Sequence, residues 1–174
     1  KLEKKLAFAQ RKLSKKVKFS ANWKKQKQKV SKIHEKVANA RLDFLHKSST
    51  HLSKNHAIIV VEDLKLKNMS KSAKGNNEKH GKNIKAKSGL NKSILDQGIG
   101  LFFTMLEYKQ AWSGGDMIRV NPKNTSRTCP RCSHVSKDNR KTQSHFECEK
   151  CGFSGHADFV AARNILARGH LVLS

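Results

Sequence analysis

The chain has 174 residues, of which 37 are Lys or Arg and 13 are Asp or Glu, for a formal charge of +24. That length allows one core with a small module, and so self-repulsive a surface calls for a polyanionic partner, with nucleic acid first in line. No run approaches the ~18 consecutive apolar residues of a spanning helix and no signal-peptide order opens the chain, which argues against a membrane and for the cytoplasm.

Residues 1–54 carry 17 basic and 3 acidic side chains, net +14. Leu2, Leu6, Ala9 and Leu13 recur at i, i+4, i+7 and i+11, and Ile33, Val37, Ala40 and Phe44 repeat that spacing. Two helices with facing stripes are predicted. A connection at 19–23, with Ser20 and Asn22 as N-caps, makes them a helical hairpin with lysines on its outer face. Taken alone, that pattern also suits a plain solvated face over an ordinary core. Residues 57–61 (AIIVV) form a short β-branched run that suits a strand buried on both faces. The run ends at Glu62 and Asp63. Residues 65–92 hold 9 basic residues and one acidic residue without an aromatic, and are predicted to be a mobile basic loop. Ser93 is the expected cap of a helix through Leu95, Leu101, Phe102, Met105 and Leu106 to about Trp112, stopped by Gly114 and Gly115. A second strand is expected at 116–120 and a last helix at 158–167, with alanines on one side and Arg163 and Arg168 on others. No internal repeat is visible.

Cys129, Cys132, Cys148 and Cys151 form two C-x2-C pairs separated by fifteen residues, a spacing that reads as a zinc site. Each pair can fold as a knuckle presenting two thiolates to one tetrahedral ion, and Pro130 and Gly152 suit such turns. Four sulfur ligands leave no position for water, so this zinc is structural. Disulfides are the poorer reading in a Lys-rich chain without an export signal. His134, His145 and His156 lie nearby but are not needed as ligands.

Acidic residues at strand ends and helix starts stand out in so basic a chain. Glu62 closes the most apolar run, and the carboxyl ends of strands in α/β sheets collect functional groups. Asp158 precedes Ala161 and Ala162 at a helix start, where an acid is favoured simply as a cap. The functional alternative is that the two carboxylates ligate Mg2+ at a phosphodiester-cleaving site, which normally needs at least one carboxylate more.

Residues 6–14 (LAFAQRKLS), 41–48 (RLDFLHKS), 58–64 (IIVVEDL), 125–132 (TSRTCPRC) and 148–165 (CEKCGFSGHADFVAARNI) together resemble the TnpB family, or OrfB-type insertion-sequence transposases. The resemblance runs the length of the chain in order. It implies an α/β, RNase H-like (RuvC) nuclease fold with an inserted zinc ribbon: a partial RuvC domain over 1–121 and 156–174, including the basic hairpin 1–54, and the ribbon over 122–155. It implies an RNA-guided, Mg2+-dependent DNA endonuclease with DNA and a guide RNA as partners, associated with the nucleoid. In that family three acidic residues hold the catalytic metals; Glu62 matches the second and Asp158 the third, and nothing in the chain matches the first. The expectation is therefore the C-terminal part of a longer protein, or a decayed transposon copy, lacking the opening strands of its sheet and inactive alone; were it to cut, Asp63, Asp96 or Asp116 would supply the third carboxylate. Departures from the family pattern are Arg127 for glutamine, Ser133 for glycine and Val160 for asparagine, the last expected to loosen hydrogen bonding around the site.

Two functions compete: a portion of a nuclease, and a non-catalytic DNA- or RNA-binding zinc-ribbon remnant whose carboxylates only cap helices. A zinc-ribbon adaptor that recruits proteins is a weaker third, because of the charge.

Overall fold

The two predicted opening helices form a hairpin in the computed structural model, which describes residues 1–76 and 78–173. Asn77, within the predicted basic loop, and Ser174, at the end of the 156–174 segment, lie outside the described residues. Helix α1 (Leu2–Ser14) turns back into α2 (Ala21–Asn55), whose N-cap Ser20 accepts the Trp23 N–H at 3.1 Å. Ala9 is buried against α2, where Gln26 donates to its carbonyl at 3.0 Å. The second predicted stripe holds only in its first half. Ile33 and Val37 are half-buried, but Ala40 is exposed and Phe44 is 66% exposed. A helix of 35 residues spans roughly 52 Å and outruns its short partner, so beyond about Val37 the buried line shifts to Leu45, Ser49 and Ser53, toward α5 (Ile99–Ser113). Lys109 of α5 fastens the two: its ammonium donates to the His46 carbonyl, Ser49 Oγ and Thr50 Oγ1 at 2.7–2.8 Å, using all three protons.

Strands β1 (Ile58–Glu62) and β2 (Asp116–Val120) pair in parallel, with Ile58 opposite Asp116 and Glu62 opposite Val120. The segment between them is helical. Helix α3 (Leu66–Met69) and α4 (Ile84–Asp96) occupy much of the predicted loop. Composition missed them because they are held by tertiary hydrogen bonds: Asn91 donates to the carbonyls of Ser70 and Lys71, and Lys87 to that of Met69. Ser93 is not a cap; it lies inside α4 and bonds back to the Gly89 carbonyl. The break before α5 is at Gly98, in the left-handed region (φ 65°), and Gly114 (φ 71°) ends α5 as its spacing predicts. The expected full burial of β1 also needs correcting. Ile58 is 46% exposed and the rest of the strand half-buried, because each of β1 and β2 has a single partner strand among the described residues.

Helix α6 (Ala157–Leu173) runs past its predicted end and packs on both β1 and β2. Its Gly169 meets Val60 so closely that a Cβ there would lie 2.4 Å from Val60 Cγ2. Before it, β3 (His145–Glu147) and β4 (Ser154–His156) form a short antiparallel hairpin, and β4 enters α6 with no linker. Phe146, Ala157 and Val160 are buried here with Cys129 and Cys148, and Phe153 packs on Phe146. No described helix is long and apolar enough to cross a membrane.

Candidate metal and nucleic-acid site

The two cysteine pairs fold into matching knuckles. In the first, the Ser133 N–H bonds the Cys129 carbonyl (2.9 Å) and the Cys129 N–H the His134 carbonyl (2.9 Å); in the second, Gly152 and Phe153 repeat the pattern on Cys148 (2.9 and 2.8 Å). Ser133 (φ 59°) and Gly152 (φ 67°) occupy the same left-handed position. A serine there carries the steric penalty glycine avoids. We expect Ser133→Gly to stabilise the chain by up to about 1 kcal/mol, and Gly152→Ala to cost about the same, read by urea titration. A Cβ at Gly152 meets nothing within 4 Å, so that cost would be purely conformational.

The four Sγ atoms lie within 4.8 Å of one another, with Cys129–Cys151 and Cys132–Cys148 each at 3.6 Å. A tetrahedron of sulfurs ~2.3 Å from one ion has edges of about 3.8 Å, while a disulfide needs ~2.05 Å, so the quartet fits a metal and not a bridge. It is the one such cluster among the described residues, and no histidine joins it. Burial opposes charge on Cys148, but the N–H groups of Cys151 and Lys150 and the thiols of Cys132 and Cys129 outweigh it and bring its thiol down to about 6. Cys151 goes the other way, to about 12; the Phe153 N–H favours its thiolate, but burial and the three neighbouring cysteines prevail. The quartet thus favours a thiolate on Cys148 over one on Cys151.

Asn139, which the spacing argument overlooked, braces the knuckles. Fully buried, it donates to the Arg127 (2.9 Å) and His134 (3.1 Å) carbonyls and accepts the Glu149 N–H (3.1 Å). Val160 packs in the cysteine core and is 3% exposed, so an apolar residue suits its place.

Glu62 sits at the carboxyl end of β1, where its Oε1 accepts the Thr125 hydroxyl at 2.5 Å. Thr125 is itself fixed by Asn164 of α6, whose amide donates to the Thr125 (2.8 Å) and Thr128 (2.7 Å) carbonyls. Strand, cysteine segment and last helix are thereby joined by three side chains. Thr125→Val keeps the shape and deletes the donor to the carboxylate, an expected loss of about 1.5–3 kcal/mol in chemical denaturation. Asp158, in the first turn of α6, pairs instead with Arg140 at 3.7 Å and is largely exposed. The two carboxylates therefore have different partners. Neither carboxylate belongs to a cluster of three metal-ligating side chains among the described residues, with or without the candidate substitutes. Asp63 pairs with Lys65 (2.5 Å), Asp96 with Arg41 (3.2 Å), and Asp116 lies at the opposite end of the sheet from Glu62. Thr125, Asn164, Arg140 and Asn139 escaped sequence reasoning, since isolated Thr, Asn and Arg residues carry no periodicity or spacing signal.

Residues 1–73 match the family described as "Probable transposase" (OrfB_IS605), and residues 100–165 match "Cas12f1-like, TNB domain". The chain is 55% identical over 172 residues to "Putative RNA-guided DNA endonuclease InsQ" of Escherichia coli K12, which covers 99% of this chain and 43% of that protein. It is 36% identical over 167 residues to a Streptomyces pristinaespiralis protein of the same description, covering 94% of this chain and 37% of the other. The chain thus spans about two fifths of the length of these relatives. Its fold matches that of Cas12f1 in a complex with sgRNA and target DNA, with a TM-score of 0.60 at 24% identity over 94% of this chain and 40% of that one. It also matches the mini-RNA-guided endonuclease CRISPR-Cas_phi3, with a TM-score of 0.54 at 25% identity over 88% of this chain and 23% of the other.

Proposed function

As this chain belongs to the TnpB (OrfB-type) transposase family, we propose that it forms the metal-binding and nucleic-acid-binding portion of an RNA-guided DNA endonuclease. The observation that carries this reading is the tie between Glu62 at a strand's carboxyl end, Thr125 beside the cysteine quartet, and Asn164 on the helix that bears Asp158. In this reading residues 1–121 and 156–174 belong to a RuvC-like domain, and 122–155 is a zinc ribbon inserted into it. Zinc would be held by Cys129, Cys132, Cys148 and Cys151 and would fix the entry to α6. Mg2+ would be held by Glu62 and Asp158 and would supply an activated water and charge neutralisation at a phosphodiester. Thr125 orients the Glu62 carboxylate, and Arg140 pairs with Asp158. The lysines of α1 and α2 grip phosphates without reading bases, leaving selection to guide pairing.

A second reading, a non-catalytic nucleic-acid-binding protein, is favoured by the absence of a three-carboxylate cluster among the described residues. Both readings require electrostatic binding, and they part at cleavage. The test is anisotropy titration of labelled RNA and DNA with the zinc-loaded chain, followed by Mg2+ addition. A protein neutralising on the order of 6–10 phosphates loses about 10³–10⁵ in affinity between roughly 50 and 200 mM salt, and that fall is expected here. Salt-insensitive binding would contradict both readings. With two carboxylates the chain is expected to bind without cutting; cutting abolished by both Glu62→Gln and Asp158→Asn would eliminate the second reading.

A further inference from the structure

The turn between α1 and α2 brings two aromatic residues together. Phe19 has a left-handed backbone (φ 67°), a sparsely populated conformation for a bulky side chain, and its ring is 69% exposed. Trp23 lies one turn into α2, its ring centroid 5.4 Å from that of Phe19 at an interplanar angle of 55°. With Ser20 as N-cap, Phe19 stands at N′ but Trp23, half-buried, stands at N3, so the pair is not the N′–N4 hydrophobic staple. Both rings border an open cleft of about 820 Å³ that is also lined by Lys24, Lys27 and Lys32. Lys27 stands 5.2 Å from the Trp23 centroid and Lys18 5.8 Å from that of Phe19. No acidic residue occurs between Glu3 and Glu35, so the cleft lies within an unbroken positive field.

We propose that this cleft is a stacking site for an unpaired base of single-stranded RNA, with Phe19 and Trp23 as the aromatic platform and Lys24, Lys27 and Lys32 on the flanking phosphates. Aromatic faces interleaved with cations are what an unstacked nucleotide requires, and every base offers a π-face. A helix of stacked pairs could not use the rings, because its bases are already covered. Gln28 and Ser31, on the same wall, supply side-chain groups for a ribose 2′-hydroxyl. The inference rests on the reading above, which makes RNA a partner, and adds the place where a base is held.

The chain has two tryptophans, so Trp112→Phe leaves Trp23 as the only indole reporter. In that background, short oligoadenylate RNA is expected to quench Trp23 fluorescence, whereas an abasic oligomer of equal length and charge binds without quenching. Phe19→Asn removes the ring while placing at a left-handed position a residue that tolerates it, so folding is preserved or improved. It should weaken oligoadenylate binding by about fivefold to a hundredfold and leave the abasic oligomer unaffected; Phe19→Tyr should restore affinity. Equal quenching by the abasic oligomer, or unchanged affinity in Phe19→Asn, would overturn the stacking site while leaving salt-sensitive binding intact. Oligodeoxyadenylate binding as tightly as the RNA would overturn the assignment to RNA. Loss of all nucleic-acid binding by the unsubstituted chain would overturn the proposed function as well.

Discussion

Removing the zinc proposed for the cysteine quartet is expected to unfold residues 122–157 while the α1–α2 hairpin stays helical. The reason is the poverty of the local core. Its strands are three residues long, and its buried apolar side chains are Phe146, Ala157 and Val160, with Phe153 partly covered. Fixing a backbone costs roughly 1–2 kcal/mol per residue, far beyond what so few side chains return, whereas a structural zinc supplies on the order of 10–16 kcal/mol. Chelation, or Cys129→Ser, should abolish hydrogen-exchange protection at Phe146 and Cys148 while most of the far-UV helical signal persists. Protection retained without metal would refute the zinc assignment. The effect should reach Glu62, whose partner Thr125 lies on the same segment. Acid should act similarly. With Cys148 titrating near 6 in the metal-free quartet, protons compete more strongly as pH falls through that value, so zinc retention drops on the acid side and is greatest above it.

Gly169→Ala is expected to destabilise the chain by about 1–2 kcal/mol, although alanine is the better helix former by about 1 kcal/mol. The added Cβ would fall 2.4 and 2.7 Å from the two Val60 methyls. Valine is stiff at χ1 and cannot turn both methyls aside, so α6 must lift from β1. The diagnostic is a loss of the penalty. In a Val60→Ala background both methyls are gone and only the Cβ remains, 3.1 Å from the added Cβ, so the cost of Gly169→Ala should shrink by about 1 kcal/mol or more. The same penalty in both backgrounds would disprove the close helix–strand approach. Because α6 carries Asp158 and β1 carries Glu62, the single substitution should also displace the two carboxylates relative to each other.

The parts of this fold that follow from local chemistry were readable in advance. Ser20 caps α2, Gly114 ends α5, residues 116–120 form a strand, and the C-x2-C pairs converge, because each depends on neighbours in sequence. What escaped depends on distant partners. Helices α3 and α4 are held by Asn91 and Lys87 bonding across about twenty residues, which composition cannot register. Phe44 has helical spacing yet faces solvent, since α2 outlasts the helix it was expected to cover. Of the candidate site, Glu62 and Asp158 were visible as acids at a strand end and a helix start. Thr125, Asn164 and Arg140 became evident only once the chain had folded back over 63, 39 and 18 residues respectively.

The most direct test asks whether Glu62 and Asp158 serve one ion. Paramagnetic broadening by Mn2+, followed by NMR on the zinc-loaded chain, should strike the amides of Asp63 and Phe159 with the same concentration dependence, and either Glu62→Gln or Asp158→Asn should abolish both. Broadening at one of these amides without the other, or at Phe159 undiminished in Glu62→Gln, would show that the carboxylates do not share a metal.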